Sequence, residues 1–240
     1  MTASGVDGRL ADQLAFLVEV DALKSVVRRN HLADGSRREN TAEHSWTLAL
    51  MAAVLAEHAD EPVDVGRVMR MVVIHDIVEV DAGDTYIYDD AGLATKADRE
   101  AAAAERLFGL LPAGQGADFR TLWEEFEDGA SPDARFARAL DRFAGFLLNH
   151  ESGGLTWREH GVTADRVADR MRAVGEGSSA LLAEGHRRLD DAVARGLLPA
   201  GPASAPPPVS DAGDAGPGDA AAAEPSAEPE PGAGPGPGAA

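Results

Sequence analysis

The stretch VVIHDIVEVDAGD, residues 72–84, sets His75, Asp76, Glu79 and Asp84 directly behind an apolar run. A carboxylate buried among apolar neighbours without a partner is costly, so Asp76 calls for a cation or strong donors beside it. Adjacent side chains on a helix point about 100° apart. His75 and Asp76 can therefore meet one metal only at its edge, and other helices must supply the remaining ligands. Glu79 follows His75 by four residues, on the same face one turn along. Candidate partners are few: His44 in TAEHSW, and Asp141 in ARALDRF, with Ala139, Leu140, Phe143 and Phe146 around it. Two imidazoles and two carboxylates suit a borderline-to-hard divalent ion. Such a set leaves positions open for water and substrate, as hydrolysis requires.

The elements that must position these residues read as helix after helix. Leu10, Leu14, Leu17, Val18 and Leu23 recur at helical spacing to about residue 27. A polar, basic connection, RRNHLADGSRREN, follows. The next helix opens at Asn40 or Thr41, where Asn40 and Glu43 have the spacing of a capping box. A third helix begins after Pro62 and runs through Val65, Val68, Met69, Val72, Val73 and Ile74 into the His-Asp pair, apolar enough to be central. Residues 81–95 read as an acidic loop. Helices resume at about 96–110, 117–127, 133–149, 163–173 and 178–196. No alternating run of convincing length appears, and the expected fold is a single all-α domain over residues 1–200.

Residues 201–240 differ in kind. They hold ten of the fourteen prolines, eight of the glycines and six acids without a base, with almost nothing apolar beyond alanine and Val209. Such a segment buries too little to offset chain entropy, so a disordered tail is expected. The formal net charge is −19, of which the tail carries six units. That acidity argues against nucleic-acid polymers as partners. No apolar run approaches the ~20 residues that cross a bilayer, so no membrane partner is expected. The chain has no cysteine, and its first residues lack the basic-then-apolar pattern of a signal peptide. A cytoplasmic location is the expectation.

Taken together, LKSVVRR, ADGSRRENTAEHSW, IHDIVEVDAGD, LWEEFE and ALDRF resemble the HD-domain metal-dependent phosphohydrolases. The branch is the one that includes 5′-deoxynucleotidases and their eukaryotic HD-domain relatives. The likeness spans about residues 10–198. It implies an HD-domain helical bundle, a homodimer, and one divalent ion (Mn, Co, Mg, Zn or Fe) on His44, His75, Asp76 and Asp141. It also implies that Glu79 and Asp84 serve hydrolysis near that ion. The chemistry is attack of metal-bound water on phosphorus, with a carboxylate orienting the water or moving its proton. Their division into acid and base stays open.

The expected substrate is a small phosphorylated metabolite, in first place a nucleoside 5′-monophosphate. Phosphate must find positive charge on an acidic protein, and residues 24–38 supply five bases against the single acid Asp34. Arg28 matches the family's substrate-binding arginine, and Arg37, His31 and Lys96 are further candidates. His31 stands where deoxynucleotidase relatives carry a tryptophan that helps select the sugar, so strict deoxyribose preference does not carry over. Nucleoside triphosphate hydrolysis and a catalytically inactive metal- or nucleotide-binding module are the alternatives. Alarmone hydrolysis is disfavoured, because the acidic pair of such enzymes is here Glu79-Val80. Trp46 and Trp123 read as core aromatics, and His58, His150 and His186 as surface residues. Glu125 is a candidate contact behind the ligands, and Trp157 and His160 either border the site or pack against it.

Overall fold

The computed structural model describes the backbone of residues 4–200, with side chains from residue 8 onward. The expected tail, 201–240, lies outside the described residues. The chain runs as α1 (Ser4–Val20), a 3₁₀ turn (Asp21–Ser25), β1 (Val27–His31), β2 (Arg38–Asn40), α2 (Thr41–Leu55) and α3 (Val65–Ile74). It continues as α4 (Glu79–Ala82), α5 (Asp90–Phe108), α6 (Ala113–Asp128), α7 (Pro132–Glu151), α8 (Leu155–Glu159), α9 (Ala164–Met171) and α10 (Ser179–Ala194). The architecture is helical, as its periodicity predicts. Among the described residues, no helix is long and apolar enough to cross a membrane.

The centre is built by α2, α3 and α7, which pack on one another. Leu48, Val68, Met71, Val72, Phe136 and Leu140 are fully enclosed there. Side-chain caps set where these helices begin, and therefore which way the polar residues face. At α2, Asn40 accepts from the Glu43 amide at 2.9 Å, and Glu43 accepts from the Asn40 amide at 3.2 Å, completing the expected capping box. That start places His44 in the first turn, facing inward. At α7, Ser131 accepts from the Ala134 amide at 3.1 Å, and Pro132 occupies the first turn. Ten residues on, Asp141 reaches the same region.

The segment 81–95, expected as a loop, holds the end of α4 and the first turns of α5; three further features differ from the sequence expectation. The basic connection is a short antiparallel hairpin, pairing Val27 with Asn40 and His31 with Arg38. Its inward residues, Asn30 and Glu39, are polar, so no apolar alternation marks it. Secondly, α3 does not continue through the His-Asp pair. After Ile74 the backbone tightens to three-residue bonds, Ile77 to Ile74 and Glu79 to Asp76. His75 and Asp76 thus sit on a turn at the helix end. Thirdly, Trp46 is no core residue: it is 67% exposed on α2.

Candidate active site

His44, His75 and Asp141 come together from α2, the end of α3, and α7. One ligand atom from each lies within 4.8 Å of the others. The His44 ring is fully buried, and its Nε2 stands 3.0 Å from Asp141 Oδ1. His75 Nδ1 lies 2.9 Å from the Val72 carbonyl. A carbonyl only accepts, so Nδ1 carries the proton and the neutral ring's Nε2 offers a lone pair. That Nε2 has no hydrogen-bond partner, yet stands 3.1 Å from Asp76 Oδ1. Two electron-pair donors facing each other at this distance need a positive charge. A proton can serve: burial disfavours it, but Asp76 and Asp141 outweigh burial and raise the His75 pKa. A divalent cation meets the same need, and the donor set fits one.

Asp76 stands beside the three rather than within that set. Its Oδ2 lies 3.2 Å from Arg28 Nη1 and 3.9 Å from His44 Nε2. Arg28 is 13% exposed and also reaches Asp84 Oδ1 at 3.6 Å and Glu39 Oε2 at 3.5 Å. Burial alone would lower its pKa, but Asp84, Asp76, Glu79 and Asp141 outweigh burial and raise it. Gly83 makes the Asp84 contact possible: its φ of 72° turns the chain back after α4, in a region that other residues rarely enter.

Glu79 opens α4 and is buried, with Oε2 accepting from the Thr41 hydroxyl at 2.9 Å. Burial, reinforced by the charge of Asp76, pushes its carboxyl up to about 9. Burial also raises Asp84. Both carboxyls line a cavity of about 120 Å³, together with Arg28, His75, Asp76, Asp141 and Lys96. Tyr86, Tyr88, Phe126 and Phe146 contribute its aromatic lining. Lys96 donates to Glu100 at 2.7 Å.

Other sequence candidates are placed elsewhere. Arg37 is exposed, forms a two-pronged pair with Glu43, and does not line the cavity. His31 packs β1 against α8, with Nδ1 3.4 Å from the Thr156 hydroxyl and Nε2 3.6 Å from Glu159. Glu125 pairs with Arg67 and accepts from Ser131 at 2.6 Å, so it braces α6 rather than a ligand. His150 is buried, not on the surface, with Nε2 3.0 Å from Asp191. Trp157 is enclosed against Phe146.

Sequence reasoning missed Glu39. It is 3% exposed between Arg28 and His44, with Oε2 3.6 Å from His44 Nδ1. Burial pushes it up to about 7 against the pull of Arg28. An acid just ahead of a helix cap, in a basic stretch, reads as a solvent-facing charge. Only the hairpin turns it inward.

The sequence profile described as HD domain matches residues 20–182. The chain is 32% identical over 150 residues to the human 5′-deoxynucleotidase HDDC2, covering 59% of this chain and 72% of that protein. To the 5′-deoxynucleotidase HDDC2 of Danio rerio it is 30% identical over 141 residues, covering 58% and 69%. A crystal structure of a predicted metal-dependent phosphohydrolase from Magnetospirillum magnetotacticum MS-1 superposes with a TM-score of 0.76. Its sequence is 53% identical, over 79% of this chain and 95% of that one.

Proposed function

Since this chain belongs to the HD-domain family and is a metal-dependent phosphohydrolase, we propose that it releases phosphate from nucleoside 5′-monophosphates. The observation that carries this reading is that the cavity beside the His44–His75–Asp141 cluster is lined by the Tyr86, Tyr88 and Phe146 rings. Flat aromatic surfaces of this kind suit a nucleobase. The names of the 5′-deoxynucleotidase relatives point the same way.

His44, His75 and Asp141 would hold the ion, with Asp76 at its edge. Bound there, a divalent cation supplies Lewis acidity, acidifying water and neutralising phosphoryl oxygens. Glu79 and Asp84 handle the protons, one leaving the attacking water and one reaching the ribose oxygen. Thr41 orients the Glu79 carboxyl. Arg28 holds Asp76 and Asp84 in place and presents its guanidinium to a phosphate oxygen. Glu39 orients His44 from behind, as carboxylates do for ligating imidazoles.

His31 does not line the cavity, so ribose and deoxyribose substrates should both turn over. The test is a phosphate-release screen crossing ribo- and deoxyribonucleoside 5′-monophosphates with Mn²⁺, Co²⁺, Mg²⁺ and Zn²⁺. Release from members of both sugar classes is expected. Silence with every nucleotide and metal overturns the reading.

The active form is a homodimer. Leu10, Leu14, Leu17, Trp46, Met69 and Val73 line an apolar groove across α1, α2 and α3 and stay exposed. Six large apolar side chains exposed side by side form a contiguous patch of the kind that marks a protein–protein interface. Among the described residues, Arg70 is the only charged one lining this groove, so two copies of an acidic chain meet there without repulsion between acids. The 201–240 segment, with Val209 its sole large apolar residue, offers little to fill it.

A further inference from the structure

The cavity has a second charged region that hydrolysis of a simple monoester leaves unused. Arg138 and Arg142 sit four residues apart on α7, and Arg166 and Arg170 four apart on α9. Arg138, Arg142 and Arg170 line the cavity itself. The Arg166 guanidinium lies over the Tyr88 ring, 5.3 Å from its centroid.

These cations are thinly compensated. Arg138 donates to the Phe126 carbonyl at 3.2 Å and to the Glu127 carbonyl, which cap α6 but carry no net charge. Arg142 has Asp141 at 3.8 Å, a carboxylate the metal would claim. Arg166 and Arg170 share Asp90 at 3.9 and 3.5 Å, and that side chain is 80% exposed. Arg28, by contrast, faces three carboxylates, and Lys96 is paired with Glu100. Glu127, also on the cavity wall, acts on Lys96. These guanidinium groups gather on one wall: Arg170, Arg166 and Arg142 all act on the Tyr88 phenol, which lines the cavity with Arg142 and Arg170.

We propose that Arg142 and Arg170, beside Tyr88 on the cavity wall, form a subsite for a second anionic group, a phosphoryl group on the ribose away from the scissile 5′-phosphate. The inference rests on the nucleotide reading above and narrows its substrate class to nucleoside bisphosphates. Guanidinium forks bind phosphate through paired, charge-assisted hydrogen bonds. On a chain of net charge −19, a substrate with two phosphoryl groups gains more from such local positive charge than a monophosphate does. The competing role is structural: Arg166 donates to the Tyr88 carbonyl at 3.2 Å and braces the loop after Gly83.

The test compares adenosine 5′-monophosphate with its 2′,5′- and 3′,5′-bisphosphates on the full-length, Mn²⁺-loaded protein. Two quantities are read: kcat/KM for 5′-phosphate release, and the dissociation constant by calorimetry on Glu79→Gln, which binds without turnover. One bisphosphate should be favoured about tenfold or more in both, the scale of one or two charge-assisted hydrogen bonds. Arg142→Ala and Arg170→Ala, each also placed in the Glu79→Gln background, should bring the preference to within about twofold, while thermal melting confirms that they fold. Equal handling of mono- and bisphosphates, or a preference that survives both substitutions, overturns the subsite. Substitutions that lower the melting temperature and affect all substrates alike leave only the bracing role, and also overturn it. Hydrolysis of the monophosphate without any preference sinks the subsite alone. Tighter bisphosphate binding that depends on the arginines, without phosphate release, keeps the subsite and sinks the hydrolytic reading.

Discussion

At the scale of single residues, the site turns on a question of protons. The Val72 carbonyl obliges His75 Nδ1 to donate, which leaves Nε2 as a lone pair beside Asp76 Oδ1. An ion resolves that opposition, so removing the ring should remove the ion. His75→Ala is expected to lower bound metal well below one equivalent. Glu39→Gln tests the neighbour that sequence reasoning passed over. If Glu39 orients His44, the variant loses about 10- to 100-fold in metal affinity while its fold persists; unchanged affinity in a metal titration removes that role. Arg28→Ala should raise KM for nucleotide more than it changes metal content, and an unmoved KM refutes phosphate contact. The His-Asp pair alone is weak, since a buried histidine is often a hydrogen-bonded core residue. That His44, His75 and Asp141 come together was legible from the constellation of TAEHSW, IHDIVEVDAGD and ALDRF. Glu39 was not, because its burial depends on pairing between two polar strands of five and three residues.

At the scale of elements, the helices were legible wherever an apolar face recurs or a cap punctuates, as at Asn40. What escaped was local geometry set by tertiary contact. The tightening after Ile74 has no breaker residue to announce it, since VIHDIV continues a helical pattern. The hairpin faces inward with Asn30, whose side-chain amide donates to the Gly145 carbonyl on α7 at 2.9 Å. Trp46 looked internal by type and is external by position. The placing of α7, which carries Asp141, depends on a close approach elsewhere. A Cβ on Gly177 would lie 2.4 Å from the Arg135 carbonyl oxygen and 2.8 Å from the Phe136 Cα, both backbone atoms. Gly177→Ala should therefore destabilise the fold by about 1–3 kcal/mol. Urea unfolding reads this directly, and a midpoint unchanged from wild type contradicts the packing described.

At the scale of the whole molecule, the acidity divides into parts with different meanings. Asp76, Glu79, Asp84 and Asp141 are drawn inward around one centre. Six acids belong to residues 201–240, outside the described structure, and deleting that segment should leave kcat/KM within about twofold if it takes no part in catalysis. The apolar groove across α1, α2 and α3 predicts a dimer by sedimentation or light scattering. Leu14→Asp with Trp46→Asp should give a folded monomer, and a wild-type monomer at micromolar concentration contradicts the interface. If phosphate release depends on an ion held by His44, His75 and Asp141, activity and metal must come and go together. The most direct measurement pairs metal content with phosphate release from nucleoside 5′-monophosphates, for wild type and His75→Ala, before chelation, after it, and after Mn²⁺ is restored. Wild type should carry near one equivalent of metal and be active, lose both on chelation and recover with Mn²⁺, while His75→Ala shows neither at any stage. Undiminished release by chelated wild type or by His75→Ala would contradict that dependence.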